Sequence, residues 1–125
     1  MHAETHAAIT ACVQTYLDGL HEGDAEKIAS AFHPCAHLYS LADDGTVADL
    51  PREEWLARVR ARPSPAATGL ARHDRILAVD QNGPDAACVK LECAIPPRFF
   101  TDFLLLLRTA DGWRIVAKSF RTEIR

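Results

Sequence analysis

The sequence lacks the local patterns that announce a disulfide framework or a metal site. It has no Cys-x-x-Cys pair, and its cysteines, Cys12, Cys35, Cys88 and Cys93, are scattered along the chain. We therefore expect all of them to be reduced and to behave as small buried hydrophobic residues. No spacing of His, Cys, Asp and Glu is typical of a metal centre, so neither a metal nor another cofactor is expected.

Long hydrophobic runs and an excess of positive charge are also absent. The longest aliphatic and aromatic run covers residues 103–107, whereas a helix needs roughly 20 apolar residues to cross a bilayer. Glu4 and His6 lie where an export signal is apolar, which predicts a cytoplasmic location. Fourteen Lys and Arg residues against seventeen Asp and Glu residues give a net charge of −3. Neither a nucleic acid nor a membrane is therefore predicted as a partner.

Two common catalytic signatures are missing as well. There is no Gly-x-Ser-x-Gly elbow for a serine nucleophile and no glycine-rich loop for a nucleotide phosphate. What the sequence has is the size and balance of a globular chain, with 125 residues of which 48% are hydrophobic and 25% are charged. A chain of this length buries roughly two-thirds of its unfolded surface. We predict a single domain over residues 1–125.

The first half of the chain has the three-four spacing of amphipathic helices. Apolar residues recur at this spacing over residues 9–20, which predicts a helix of about four turns. Gly23 can end that helix, and Asp24 can cap a short second helix that ends at Pro34. A third helix carries Trp55 on its apolar stripe.

In the second half, the apolar period changes to two. Turn residues divide it into strands near residues 72–80, 85–95, 99–109 and 113–122. A further strand is predicted at residues 36–40. The predicted fold is α+β, with three helices packed on an antiparallel sheet.

The last two strands are joined by Asp111-Gly112, which is typical of a tight hairpin turn. If this pair forms a two-residue turn, Asp102 lies opposite Arg121, and Ser119 lies on the same face. A slip of one residue would exchange the two faces of the hairpin.

Both faces of this predicted hairpin are apolar, although an antiparallel sheet with one wet face alternates apolar and polar residues. The second face is predicted to carry Phe99, Phe103, Leu105, Leu107, Val116 and Phe120 around Thr101 and Lys118. Three short helices can cover only one face. We therefore expect the second face to be buried against another copy of the chain, in a homodimer.

A family resemblance rests mainly on this hairpin, which contains the segments FTDFLLLLR and DGWRIVAKSF. With Tyr16, Gly23-Asp24 and Phe32-His33-Pro34, they resemble the nuclear transport factor 2-like superfamily, which includes the SnoaL-like proteins. Within it, the chain is most similar to the group named "Putative lumazine-binding". The resemblance implies a cystatin-like cone with a strongly curved sheet and a pocket between the helices and the sheet. It also implies a homodimer, which commonly forms through the outer face of the sheet. The superfamily holds isomerases, dehydratases and many proteins without catalysis, so fold alone does not choose a chemistry.

Asp102 is the first candidate for catalysis, because burial among apolar side chains could raise the pKa of a carboxyl group toward that of a useful general base. The structural alternative is an ion pair with Arg121 that fixes the strand register. His37 and Tyr39 are the second candidates, because they lie two residues apart on one strand face and could project together into the pocket. Besides these residues, the predicted pocket lining comprises Tyr16, Phe32, Trp55, Phe100, Leu104, Ser119 and Arg121.

The sequence favours a small-molecule-binding domain, whose mostly apolar pocket takes a flat or apolar molecule without covalent chemistry. The alternative is a cofactor-free lyase or isomerase, in which Asp102 or His37 removes a proton beside a carbonyl and Tyr39 or Arg121 stabilises the oxyanion. This alternative requires Asp102 and Tyr39 to face one cavity. A third possibility, a dimerisation or protein-binding module, predicts that the cavity is filled by the protein's own side chains.

Overall fold

Helices and strands follow one another along residues 2–125, the part of the chain that this computed structural model describes. The elements are α1 (His2–Glu22), α2 (Ala25–Ala31), β1 (Phe32–Leu41), β2 (Val47–Pro51), α3 (Arg52–Ala61), β3 (Arg75–Asn82), β4 (Ala86–Ile95), β5 (Arg98–Thr109) and β6 (Gly112–Ile124). The predicted elements are all present, although α1 extends further toward the amino terminus than the apolar spacing indicated.

The strands form one six-stranded sheet in the order β2-β1-β6-β5-β4-β3. Neighbouring strands are antiparallel except β1 and β6, which pair in parallel. The predicted α+β class is confirmed, with this one parallel pair added to the expected antiparallel sheet. The pair places β6 at the centre of the sheet, where it can carry side chains under the helices.

The junction between α1 and α2 follows the local chemistry of the sequence. Gly23 has a positive φ of 69°, and the carboxylate of Asp24 accepts a hydrogen bond from the backbone N–H of Lys27 at 3.1 Å. This is the cap expected from an aspartate at the start of a helix. The expected helix end at Pro34 is wrong, because Phe32 already has extended backbone (φ −100°, ψ 127°) and Pro34 lies within β1.

The hydrophobic core lies between the helices and one face of the sheet, which we call the inner face. Strand β5 shows the division most clearly. Leu104 and Leu106 point inward and are 0% and 1% exposed, whereas Phe103, Leu105 and Leu107 on the outer face are 48%, 52% and 46% exposed. The period of two in this strand therefore separates a core face from an exposed apolar face.

The hairpin between β5 and β6 has a different register from the predicted one. Thr109 pairs with Gly112, so the tip of the turn is Ala110-Asp111 rather than Asp111-Gly112. The pairing then shifts by one residue at a bulge in β6, where Val116 has no partner opposite it.

The new register changes which residues of β6 face the helices. Lys118 lies opposite Leu104, and Phe120 lies opposite Asp102, so both belong to the inner face. Ser119 and Arg121 lie opposite outer-face positions instead, and the predicted pairing of Asp102 with Arg121 is wrong. The physical reason is that a shift of one residue exchanges the faces of a strand.

The cysteines are all free, but they do not share one environment. Cys93 is buried, Cys12 and Cys88 are half-buried, and Cys35 is exposed, so the expectation of burial is wrong for Cys35. Within residues 2–125, no helix has the length and apolar character needed to span a membrane.

Candidate functional site

A cavity of about 160 Å³ lies between the helices and the inner face of the sheet. An apolar cavity of about 150 Å³ is large enough to hold benzene, so a small molecule fits this space. The residues that line it come from two helices and five strands or strand ends: Tyr16, Leu20, Leu38, Leu50, Trp55, Arg58, Arg62, Ile95, Phe100, Lys118 and Phe120.

Aromatic rings form one wall of the cavity. Tyr16 on α1 and Trp55 on α3 meet edge to face with ring centroids 6.0 Å apart. Phe32 at the start of β1 packs against both, at 5.1 Å from Tyr16 and 4.9 Å from Trp55. Such edge-to-face contacts are favourable and directional. Phe32 is fully buried behind this wall and holds the two lining rings in place.

Lys118 is the buried cation of the cavity, with a side chain only 8% exposed. Its Nζ donates a hydrogen bond to the hydroxyl of Tyr16 at 2.8 Å and lies 3.5 Å from Oδ2 of Asp102. The same Nζ lies 4.8 Å from the ring centroid of Trp55 and 5.0 Å from those of Tyr16 and Phe120. The faces of aromatic rings attract cations, so three rings and one carboxylate stabilise the ammonium group.

Asp102 lies behind Tyr16 and does not line the cavity itself. The carboxylate is fully buried, and its Oδ2 accepts a hydrogen bond from the Tyr16 hydroxyl at 2.6 Å. Among the described residues, Oδ1 of Asp102 has no hydrogen-bond partner. Burying a carboxylate with an unsatisfied oxygen is unfavourable, and a buried ion pair adds little stability over apolar packing. Packing stability alone therefore does not account for this arrangement.

Burial also determines where protons reside around this carboxylate. Burial raises the pKa of Tyr16 well above its ordinary value, and the nearby negative charge of Asp102 raises it further. Burial, followed by the charge of Asp102, raises the pKa of Cys93 to about 12. Both groups consequently keep their protons at neutral pH, and Tyr16 acts as a donor to Asp102 and an acceptor from Lys118.

Two arginines add positive charge to the cavity lining, Arg58 and Arg62. Neither forms an ion pair with a carboxylate among the described residues. In contrast, Arg60 on the same helix pairs with Glu26 at 3.1 Å. Arg58 and Arg62 are therefore available to an anionic group of a ligand.

His37 and Tyr39 do not reach the cavity. Their rings stack on the outer face with centroids 6.1 Å apart, and Nδ1 of His37 lies 2.5 Å from Oδ1 of Asp49. The reason is the period of two in β1, in which the buried Ala36 and Leu38 occupy the inner positions. The expectation that Asp102 and Tyr39 face one cavity is wrong, and so is the lyase arrangement that used His37 and Tyr39.

Ser119 and Arg121 also lie away from the cavity. They line a groove on the outer face, with a volume of about 330 Å³, together with Tyr39 and Phe103. Arg121 has Glu123 as its ion-pair partner, at 3.8 Å. The alternative role of Arg121 as a stabiliser of an oxyanion next to Asp102 is therefore contradicted by its position.

The remaining predicted residues lie in or beside the cavity. Tyr16, Trp55 and Phe100 line it, whereas Phe32 and Leu104 are buried immediately behind the lining. Sequence reasoning missed a second group of lining residues, which comprises Lys118, Phe120, Arg58 and Arg62. A lysine inside the mostly apolar segment IVAKSF was a signal for a site, but the predicted register assigned it to the outer face.

Larger hollows lie elsewhere on the surface. One of about 310 Å³ is lined by residues of β3, β4, β5 and β6, and one of about 640 Å³ lies between the start of α1 and Trp113. Neither contains Lys118 or Tyr16 in its lining. Throughout the described part of the chain, His, Cys, Asp and Glu side chains form no group of three that could hold a metal ion.

Comparison with known proteins gives a family match over nearly the whole chain. The sequence family described as "Putative lumazine-binding" matches residues 4–121. A curated relative, "Aldolase FrzH" from Cladobotryum sp, is 26% identical over an alignment of 124 residues, and the match covers 94% of this chain and 91% of the relative.

Solved structures share the fold. An NTF-2 like protein of unknown function from Silicibacter pomeroyi DSS-3 is 26% identical, with a TM-score of 0.85 and coverage of 98% of this chain and 99% of its own. An NTF2-like protein of unknown function from Shewanella baltica OS155 is 23% identical, with a TM-score of 0.87 and coverage of 100% and 98%. A ketosteroid isomerase-like protein from Erwinia carotovora atroseptica SCRI1043 is 16% identical, with a TM-score of 0.71 and coverage of 95% and 96%.

Proposed function

The chain belongs to the family described as "Putative lumazine-binding", and we propose that its interior cavity binds a small anionic carbonyl compound and activates the carbon beside the carbonyl group. The proposal includes no added cofactor. The observation that carries it is the position of Lys118, a buried cation hydrogen-bonded to Tyr16 and facing a cavity of about 160 Å³.

Lys118 provides a donor for an oxygen atom of the ligand. An ammonium group has three N–H donors, of which one is directed to the Tyr16 hydroxyl and one lies near Asp102. The remaining donor can bind a carbonyl oxygen and stabilise the negative charge that develops there when a neighbouring C–H bond breaks. Fixed donors in a dry site are an effective way to stabilise such an oxyanion.

Tyr16 and Asp102 provide a path for the proton. Tyr16 lines the cavity, and its hydroxyl donates to Oδ2 of Asp102 at 2.6 Å. When the phenolic oxygen takes a proton from the carbon beside the carbonyl, its own proton passes to Asp102. The C–H electron pair moves into the enolate, whose oxygen is held by Lys118. Asp102 is then the general base, acting through Tyr16 rather than by direct contact.

The anionic part of the ligand is inferred from Arg58 and Arg62. Both line the same cavity as Lys118 and lack a carboxylate partner among the described residues. Guanidinium groups bind carboxylates and phosphates through paired N–H donors. A carbonyl compound that carries a carboxylate therefore fits the positive side chains that line the cavity.

The curated relative adds chemical support, since it is named an aldolase and aldolases make or break a carbon–carbon bond next to a carbonyl group. Binding without turnover, which the sequence alone favours, is the second candidate. The apolar rings around Lys118 support binding in either case.

The exchange of ligand hydrogen for deuterium distinguishes the two candidates. We expect the protein to accelerate loss of the methyl proton signal of pyruvate in D₂O, measured by NMR. Tyr16→Phe removes the proton path and should slow this exchange by about a hundredfold, because a general base contributes at least about that factor. Tyr39→Phe, on the outer face, should leave it unchanged. Saturable binding of pyruvate without hydrogen exchange supports a binding protein. An equal loss of exchange rate in the Tyr16→Phe and Tyr39→Phe variants contradicts the proposed site.

We also infer that the outer face packs against a second copy of the chain. Phe103, Leu105 and Leu107 are about half exposed on adjacent outward positions of β5. Leu41 and Val47 extend this apolar surface and are 73% and 68% exposed. A continuous apolar sheet face is typical of a protein interface, and a face of this kind can cover itself in a twofold dimer.

A further inference from the structure

We propose that Lys118 reacts covalently with its ligand and forms a Schiff base with the carbonyl carbon. This inference deepens the proposed function and rests on it. It assigns the Nζ of Lys118 as a nucleophile, whereas the proposed function requires only that this nitrogen donate a hydrogen bond. The substrate class is a small aldehyde or ketone with an anionic substituent.

The position of Lys118 suits a nucleophile. Its Nζ reaches the cavity from the central strand β6 and is held between Tyr16, Trp55 and Phe120. The side chain is therefore restrained, and a ligand in this small cavity has its carbonyl carbon close to the nitrogen. The other two lysines of the chain offer no such enclosure, since Lys27 pairs with Glu22 at the surface and Lys90 is exposed.

The neighbours of Lys118 can take up and return the proton that controls its reactivity. An amine attacks a carbonyl only in its neutral form. Tyr16 and Asp102 form a relay from Nζ, with hydrogen bonds of 2.8 Å and 2.6 Å. A proton that leaves Lys118 is taken up by the Tyr16 oxygen as the tyrosine proton passes to Asp102. This transfer leaves a neutral amine on Lys118 and a neutral carboxyl group on Asp102.

Formation of the Schiff base needs only Lys118, Tyr16, Asp102 and the carbonyl compound. The Nζ lone pair forms a bond to the carbonyl carbon, and the carbonyl π electrons move to oxygen. That oxygen takes back the proton from Asp102 through Tyr16, which gives a carbinolamine and restores the carboxylate. The hydroxyl then leaves as water with one proton from nitrogen, and a protonated imine remains. One ammonium and one carbonyl have become one iminium and one water.

The same surroundings stabilise the product. The iminium nitrogen carries the positive charge formerly on the ammonium, so the three aromatic rings and the Asp102 carboxylate still face a cation. The iminium withdraws electrons from the adjacent carbon more strongly than a hydrogen-bonded carbonyl does. Either a proton or a carbon substituent can then leave that carbon, which is the chemistry expected of the proposed function.

Reductive trapping tests this inference on the unmodified protein. The full-length chain is incubated with pyruvate and sodium cyanoborohydride, which reduces the imine to a stable secondary amine, and the modified peptides are located by mass spectrometry. Hydroxyacetone, a neutral ketone of similar size, is the parallel probe. We expect selective modification of Lys118 over Lys27 and Lys90, at least tenfold faster with pyruvate than with hydroxyacetone.

Variants separate the covalent step from binding. Lys118→Arg keeps the positive charge but lacks a nucleophilic amine, so it should bind pyruvate and lose trapping. The Lys90→Met variant should be labelled at Lys118 as fast as the unmodified protein. Because Lys118→Arg could disturb folding, the distribution of label among the lysines of the unmodified protein is the primary readout.

Each result of the trapping experiment either supports or overturns the Schiff base at Lys118. Modification concentrated on Lys118 supports the Schiff base. Modification spread evenly over Lys27, Lys90 and Lys118 overturns it. Pyruvate that binds or exchanges its hydrogens without trapping overturns the Schiff base and leaves the proposed function intact. If pyruvate neither binds nor exchanges, the proposed function fails, and the inference about Lys118 fails with it.

Discussion

The Nζ of Lys118 and the hydroxyl of Tyr16 lie 2.8 Å apart, although 102 positions separate the two residues in the chain. Tyr16 lies on α1, the first helix, and Lys118 lies on β6, the last strand. Asp102 completes the group through its hydrogen bond with Tyr16. The fold thus brings together a cation, a phenol and a carboxylate beneath the helices, next to a cavity that can hold a small molecule.

The first prediction concerns the stability of this group. Lys118→Met leaves the carboxylate of Asp102 buried without its cation, and loss of one partner from a buried pair costs about 3–5 kcal/mol. We expect a loss of this size in the free energy of unfolding, measured by urea denaturation.

The matched control removes both charges. Asp102→Asn combined with Lys118→Met leaves no buried charge, so it should recover more than half of the loss. A loss below about 1 kcal/mol in the single variant, the range of a surface ion pair, would show that the pair is solvated and not buried as described.

The second prediction concerns the positive lining of the cavity. Arg58→Ala and Arg62→Ala should each weaken pyruvate binding about tenfold, since one charge-assisted hydrogen bond is worth about 1.5 kcal/mol or more. Binding of the neutral hydroxyacetone should change little. Isothermal titration calorimetry gives both affinities.

Arg60→Ala is the control for the arginine variants, because Arg60 pairs with Glu26 outside the cavity. It should leave the affinity for pyruvate unchanged. Equal weakening by Arg60→Ala would point to a general effect of net charge instead of contacts within the cavity.

Part of this architecture could be read from the sequence, and part could not. Gly23 and Asp24 specify the end of α1 and the start of α2 by local chemistry, and both were predicted. The set of β6 side chains that face the helices was not predicted, because it depends on the position of the hairpin tip and on the bulge at Val116. No local signal marks that bulge, and a shift of one residue moved Lys118 from the predicted outer face to the centre of the site.

The same slip misplaced the candidate residues of β6, whereas His37 and Tyr39 were misplaced because Ala36 and Leu38 occupy the inner positions of β1. Tyr16 and Trp55 were predicted in the pocket from the apolar stripes of their helices, which do not depend on the register of the last hairpin. Ser119 and Arg121 depended on the register, and both lie on the outer face. The contact between Tyr16 and Lys118 could not be inferred at all, because it exists only once α1 packs across the sheet.

The third prediction concerns alkaline pH. Burial raises the pKa of Cys12 from 9.0 to about 11 and that of Cys93 from 9.0 to about 12. The unfolded chain releases these protons near pH 9 while the folded chain retains them, so the folded state binds more protons and its stability falls as the pH rises.

The stability that these thiols contribute is fully present below pH 9 and is lost as the pH rises toward 11–12. Each pKa unit corresponds to about 1.4 kcal/mol, so the two thiols together lose roughly 7 kcal/mol, most of it by pH 11. Urea denaturation between pH 8 and pH 11 measures this slope. The double variant Cys12→Ala, Cys93→Ala should flatten it below about pH 10, above which the raised pKa of Tyr16 adds to the slope. An unchanged slope below pH 10 would contradict the assignment.

The fourth prediction concerns the outer face of the sheet. Leu105→Lys places a charge in the middle of the apolar surface, where Leu105 is 52% exposed. Sedimentation velocity at micromolar concentration should show a dimer for the unmodified chain and a monomer for this variant. Ala110→Lys, at the exposed tip of the hairpin, should remain a dimer. An unmodified chain that is a monomer would contradict the inferred interface.

The most direct test of the proposed site follows the two tryptophans of the chain during a titration with pyruvate. Trp55 lines the interior cavity, whereas Trp113 lies at a different hollow near the start of α1. In a ¹H–¹⁵N NMR spectrum, we expect the indole N–H signal of Trp55 to shift saturably while that of Trp113 stays in place. Saturable shifts confined to Trp113 and the outer face, or no shift of Trp55 at high pyruvate concentration, would contradict the assignment of the site.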